Sequence, residues 1–209
     1  MSNIFDVEQP KKTVIDWLNG VSYAEDPTYK PSLFALQFVN FIKLVNGGQG
    51  EEHKTPVLHY KMLDTVVSGD RRIANMVHRG AAKTTVMAEY LFLYLGVFGS
   101  LPEFGRIELA LYVSDSVDNG VKNMRKNLEF RWENSSFLQQ TTVIKGYGAK
   151  TGVRGTKEMG KRPKLAILDD LVSDEDARSP TIIAAIEDTV YKAVEYALHP
   201  SNNMMIWSG

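Results

Sequence analysis

Apolar residues follow two periods along this chain. Helical spacing runs over residues 33–45, 56–67, 83–98, 117–132 and 181–197, which predicts five helices. Ser32 caps the first and Ser179-Pro180 introduces the last. A further short helix is expected over 13–18. Short, mainly apolar runs stand at 72–77 and 107–113, and unbroken ones at 165–168 and 204–207. These read as buried strands. Gly99 and Pro102 end the 83–98 helix, and Asn46-Gly47-Gly48-Gln49-Gly50 opens a polar linker. The connection 143–163 is glycine-rich and basic, with short antiparallel strands expected in it.

Strands alternating with helices predict an α/β fold with a parallel sheet and right-handed crossovers. Ligands of such sheets sit beyond the carboxyl ends of the strands. Polar signals fall at those ends: Lys83-Thr84, Ser114-Asp115, Asp169-Asp170 and Ser208-Gly209. The expected organisation is a helical N-terminal region and linker over 1–52, then the α/β core over 53–209.

Composition narrows the picture only slightly. The chain has 209 residues, 44% of them hydrophobic and 23% charged, as in an ordinary globular domain. The net charge of −1 supplies no global basic field, so any nucleic-acid contact must come from a local patch. The chain lacks cysteine, which excludes disulfides, thiolate metal sites and a cysteine nucleophile. Residues 1–9 are polar and acidic, unlike a signal peptide. The longest apolar run, 91–98, is too short to span a bilayer, so no membrane association is expected.

The stretch Met76-Val77-His78-Arg79-Gly80-Ala81-Ala82-Lys83-Thr84-Thr85 reads as a strand running into a glycine turn, with a lysine and two threonines opening a helix. Backbone N–H groups of Gly80 to Thr85 suit the phosphates of a nucleoside triphosphate, and Lys83 meets their charge. The Thr84 hydroxyl suits Mg²⁺. The strict pattern has glycine at positions 77 and 82, where this chain carries Val77 and Ala82. The run Leu165-Ala166-Ile167-Leu168-Asp169-Asp170 places two carboxylates at a buried strand tip. Asp169 suits the metal and Asp170 the attacking water. Arg79, within the loop, has the fork to reach a γ-phosphate or a neighbouring carboxylate. A nucleoside triphosphate and Mg²⁺ are therefore the expected ligands.

Between 145 and 164 stand Lys145, Lys150, Arg154, Lys157, Lys161, Arg162 and Lys164 against Glu158 alone. A solvated charge run accounts for most of the lysines. Arg154 and Arg162 are the candidates for arginines donated to a neighbouring subunit's nucleotide. His59 and Tyr60 are candidates to face a base, although plain packing is the simpler reading. The acidic run Asp174-Glu175-Asp176 reads as a solvated loop. His78 and His199 lack partners at metal spacing.

The 78–85 segment resembles the deviant Walker A loop of tailed-bacteriophage terminase large subunits. The stretch 153–170 is similar to the same family's arginine-glycine, glycine-x-arginine-proline and Walker B sequence. The final Met204-Met205-Ile206-Trp207-Ser208-Gly209 resembles the start of its coupling motif. The resemblance implies an ASCE (RecA-like) P-loop ATPase that translocates double-stranded DNA into a procapsid. It implies a homo-oligomeric ring on the portal protein, recruited with a small terminase subunit in the host cytoplasm. By resemblance Lys83 binds the β/γ-phosphates, Thr84 and Asp169 hold Mg²⁺, and Asp170 is the catalytic carboxylate. Arg79 responds to nucleotide, and Ser208 begins the γ-phosphate sensor. The family's glutamate is replaced by Asp170, and its adenine-side glutamine near His59 is missing. The chain is expected to stop inside the coupling motif, with the last sheet strands and the nuclease domain absent. Two rival expectations are a helicase-like P-loop ATPase and a non-catalytic module that docks on nucleotide, portal or DNA.

Overall fold

The computed structural model describes residues 28–47, 55–115, 120–141, 162–172 and 178–208. In chain order they form α1 (Leu33–Val45), α2 (Val57–Val66), β1 (Arg72–Asn75), a π-helical turn (Thr85–Tyr90) and α3 (Leu91–Phe98). A small hairpin of β2 (Ser100–Leu101) and β3 (Gly105–Arg106) follows. Then come β4 (Ala110–Ser114), α4 (Lys122–Glu133), α5 (Ser136–Thr141) and β5 (Leu165–Asp169). The chain closes with α6 (Pro180–Thr189), a second π-helical turn (Val190–Val194), α7 (Glu195–Ala197) and β6 (Met204–Ser208).

Four strands make one parallel sheet in the order β1-β6-β5-β4. All five residues of β5 are buried, as a central strand covered on both faces requires. Alternation divides its side chains. Leu165 and Ile167 join the larger hydrophobic cluster, built with α1, α2, the first π-helical turn, α3 and α4. Ala166 and Leu168 join a smaller one with Val190, Val194 and Leu198. The result is a small α/β domain, a parallel sheet flanked by helices.

Helix α1 matches its predicted span because both determinants are local. The Ser32 side chain accepts a bond from the Ala35 amide at 3.1 Å. Phe34, Phe38 and Phe41 recur on one face and pack their rings around Tyr94. The helix therefore shares the larger cluster with the sheet. No helix of the described residues is long and apolar enough to cross a membrane.

Several expectations are corrected. The 107–113 strand begins later, at Ala110, because the Ile107 amide bonds the Gly99 carbonyl and extends the β2–β3 hairpin, which periodicity did not reveal. The 72–77 strand stops at Asn75. The fourth helix begins α-helically at Lys122 and is followed by the unforeseen α5. The helices over 83–98 and 181–197 each contain a π-helical turn. The 13–18 helix, the acidic run 174–176 and residues 143–161 of the basic connection lie outside the described residues.

Candidate functional site

Asn75, Ser208, Asp169 and Ser114 stand side by side across the four strands. They form a polar row at the carboxyl end of the sheet. Two residues earlier in each strand, Ile73, Ile206, Ile167 and Tyr112 belong to the larger cluster. By strand alternation the polar row lies on that same face, beneath the helix that follows β1.

The segment after β1 curls over this row. Gly80 (φ +83°) and Ala82 (φ +56°) both adopt left-handed backbone. Helix begins at Lys83, and the Val86 amide closes on the Ala82 carbonyl at 2.9 Å. A Cβ is strained at that φ, so position 82 would suit glycine better than alanine. Val77 has no positive φ. Its carbonyl instead accepts from Lys83 Nζ at 3.0 Å. His59 donates through Nε2 to the Ala81 carbonyl at 2.9 Å, so it braces the loop.

Ala82→Gly is expected to stabilise the chain by about 1 kcal/mol. Gly80→Ala should cost about as much, for conformational reasons alone, since an added Cβ there meets nothing within 4 Å. Urea unfolding of the two variants checks both signs.

Asp169 is 3% exposed. Thr84 Oγ1 donates to its Oδ1 at 2.8 Å, and Tyr112 OH donates to its Oδ2 at 2.8 Å. Burial raises the Asp169 pKa above its ordinary value. The two hydroxyls and the Lys83 charge oppose that rise, and the Asp170 charge adds to it. Tyr112 is pushed up by its own burial and then by the Asp169 charge.

Because the folded protein holds this proton more tightly than the unfolded chain, the sign is set. The stabilisation is complete below the ordinary carboxylate pKa of 3.8 and is lost as pH rises through the higher folded value. The ligand-free protein should therefore lose part of its stability as pH rises above about 4. Asp169→Asn should remove that slope and leave the variant more stable than wild type on its alkaline side. Melting temperatures across the pH range check it.

Asp170 is exposed, left-handed (φ +46°), and its amide donates to the Ser208 carbonyl at 3.1 Å. Ser208 is fully buried and Asn75 is 6% exposed. Ser208 Oγ and Asn75 Nδ2 have no hydrogen-bond partner. Buried polar atoms of this kind call for an explanation such as a bound water or ligand.

Lys83, Thr84, Asp169 and Ser208 are thus gathered at one end of the sheet, with Asp170 adjoining. Thr85 begins the π-helical turn, and Arg79 lies on the exposed turn at 79–80. Arg162 precedes the opposite, amino end of β5, where its Nη1 donates to the Tyr196 carbonyl at 2.9 Å. Arg154 is outside the described residues. His199 Nδ1 accepts from the Asn202 amide at 3.2 Å. Tyr60 packs against the larger cluster. Among the described residues no group of three or more His, Cys, Asp or Glu gathers to hold a metal.

Tyr112 and Asn75 escaped the sequence reading. A tyrosine placed two residues before the polar end of a strand was the available signal for the first. Nothing local marked the second. No protein-family model matches the chain, and no curated protein matches it.

Proposed function

We propose that this chain is a Mg²⁺-dependent ATP hydrolase with an ASCE (RecA-like) P-loop core. We further propose that it is the ATPase part of a DNA-packaging motor of the tailed-phage terminase large-subunit type. The observation that carries the enzymatic reading is the 2.8 Å bond between Thr84 and Asp169, side chains 85 positions apart. A hydroxyl at a loop-to-helix start and a buried strand-end carboxylate form the pair that a P-loop site uses around its metal. The sheet order supports it as well, since one additional strand, β6, stands between β1 and β5.

The donor set fits the ion. Thr84 and Asp169 offer two hard oxygens, and Mg²⁺ commonly takes only one or two carboxylates beside substrate phosphates and water. A cage of three acids is not required. When bound, Mg²⁺ neutralises charge on the β- and γ-phosphate oxygens.

The chain's own groups do the remaining work. Amides from Gly80 to Thr85 face the phosphates. The Lys83 ammonium leaves the Val77 carbonyl for phosphate oxygen. Asp170 orients the attacking water. Ser208 Oγ, adjoining Asp169 across the sheet, senses the γ-phosphate. Arg79 answers the nucleotide from the loop rim. Double-stranded DNA, a portal protein, a small terminase subunit and a ring of copies in the host cytoplasm are the partners and setting this reading implies. They rest on the resemblance of residues 78–85, 153–170 and 204–209.

ATP turnover by the full chain with and without double-stranded DNA tests the proposal. Mg²⁺-dependent turnover that rises with DNA supports the motor. Nucleotide binding without turnover overturns the enzyme and favours a binding module. No nucleotide binding removes the site.

A further inference from the structure

We infer that Tyr112 is a positioning residue for Asp169: its hydroxyl, with that of Thr84, fixes the carboxylate in one plane, and it acts through Asp169 without touching nucleotide. The inference rests on the reading of Asp169 as the carboxylate that serves Mg²⁺·nucleotide.

A carboxylate on a strand end rotates about two bonds, and a metal ligand must not. Here each oxygen has its own donor. Thr84, on Oδ1, comes from the helix that follows β1. Tyr112, on Oδ2, comes from β4. The two hydroxyls therefore hold Asp169 from separate elements. Thr84 stands in the first turn of its helix, after the turn at 79–80. Tyr112 sits on a strand paired to β5 over five residues, so its position is fixed by the sheet.

The tyrosine ring is held in turn. Phe92 meets it edge-on, with ring centroids 6.2 Å apart at 77°. The Tyr112 ring also packs against the larger cluster. A phenol held by its ring and bonded to a buried carboxylate can do little but donate. Partners of this outer kind set ligand orientation, and their loss typically weakens metal affinity or activity.

Tyr112→Phe removes the hydroxyl and keeps the ring. The expected result is a rise of about 10–100-fold in the Mn²⁺ concentration that half-saturates the protein in the presence of ADP, read by electron paramagnetic resonance. ADP affinity without metal should not change. Phe92→Leu disturbs the same packing but spares the hydroxyl, and its Mn²⁺ half-saturation should stay at the wild-type value. A merely structural role would make the two variants alike, which overturns the inference, as would wild-type Mn²⁺ affinity in Tyr112→Phe. In ¹³C-tyrosine-labelled wild type, the Tyr112 ring resonance should move on adding Mg²⁺ with ADP and stay still with ADP alone. This readout needs no variant to fold, and an unmoved resonance overturns the inference. Wild-type protein that takes up no Mn²⁺ with ADP refutes the parent reading of the site. Wild-type uptake with an unaffected Tyr112→Phe variant refutes only the role of Tyr112.

Discussion

Lys83→Ala is expected to lower ATP hydrolysis by roughly 10²–10³-fold, the scale lost when one fixed charge is removed from a developing anion. Stability should barely change. In the ligand-free protein Lys83 Nζ makes one bond, 3.0 Å to the Val77 carbonyl. Val77 and Lys83 are both partly exposed, so water can replace the lost donor. A large kinetic loss beside a small stability loss separates a residue held for chemistry from one held for folding. Lys83→Arg should not rescue turnover, because the planar guanidinium fork does not occupy the position of a compact ammonium. Steady-state turnover with parallel thermal melts checks both variants. Retained hydrolysis in Lys83→Ala would withdraw the phosphate-binding role of the loop.

The second large effect lies behind the site. Glu89→Ala should destabilise the chain by about 3–5 kcal/mol, the cost of leaving a buried ion without its partner. Glu89 is 4% exposed within the first π-helical turn. Arg131 of α4 reaches its Oε2 through Nε at 2.7 Å and Nη2 at 2.6 Å. Asn127 Nδ2 takes Oε1 at 2.8 Å. The guanidinium lies over the Tyr90 ring, 4.3 Å from its centroid, and Nη1 donates to the Tyr90 hydroxyl at 2.7 Å. That hydroxyl donates to Asn46 Oδ1 at 2.6 Å. The network thus joins the helix after β1 to α4 and to the end of α1.

Removing the carboxylate alone strands a mostly buried guanidinium. Removing both charges does not, so Glu89→Leu with Arg131→Met should recover most of the lost stability. Chemical denaturation of the single and double variants forms the cycle that isolates the pair. A single variant within about 1 kcal/mol of wild type would contradict this assignment.

Features that depend on neighbours in sequence were legible beforehand. The Ser32 cap and the Phe34, Phe38, Phe41 spacing predict α1 over the residues it occupies. The apolar run before Asp169-Asp170 predicts β5 to within one residue. The loop before Lys83 is visible from Gly80 and the paired threonines.

What stayed hidden depends on long-range pairing. Ser208 and Asn75 become neighbours only because β6 inserts beside β1. Tyr112 gains its role only when β4 lies beside β5. Glu89 reads as an interruption in an apolar helix until Arg131 arrives from α4. The placement of Arg162 at the amino end of β5 likewise follows from strand direction, which charge counting does not see. The π-helical turn at Thr85–Tyr90 has no composition signal, although such turns are often found at functional sites. The Ile107 bond to Gly99 displaces the start of β4, and two-residue strands are too short for periodicity to register.

The central claim is that Lys83 and the Asp169–Asp170 pair meet across one bound triphosphate. A crystal structure of the chain with Mn²⁺ and a non-hydrolysable ATP analogue tests it most directly. The account predicts an anomalous Mn²⁺ peak beside Thr84 Oγ1 and Asp169, with Lys83 Nζ moved from the Val77 carbonyl to phosphate oxygen. Triphosphate bound elsewhere, with Lys83 still on Val77 and no metal peak near Asp169, would contradict it.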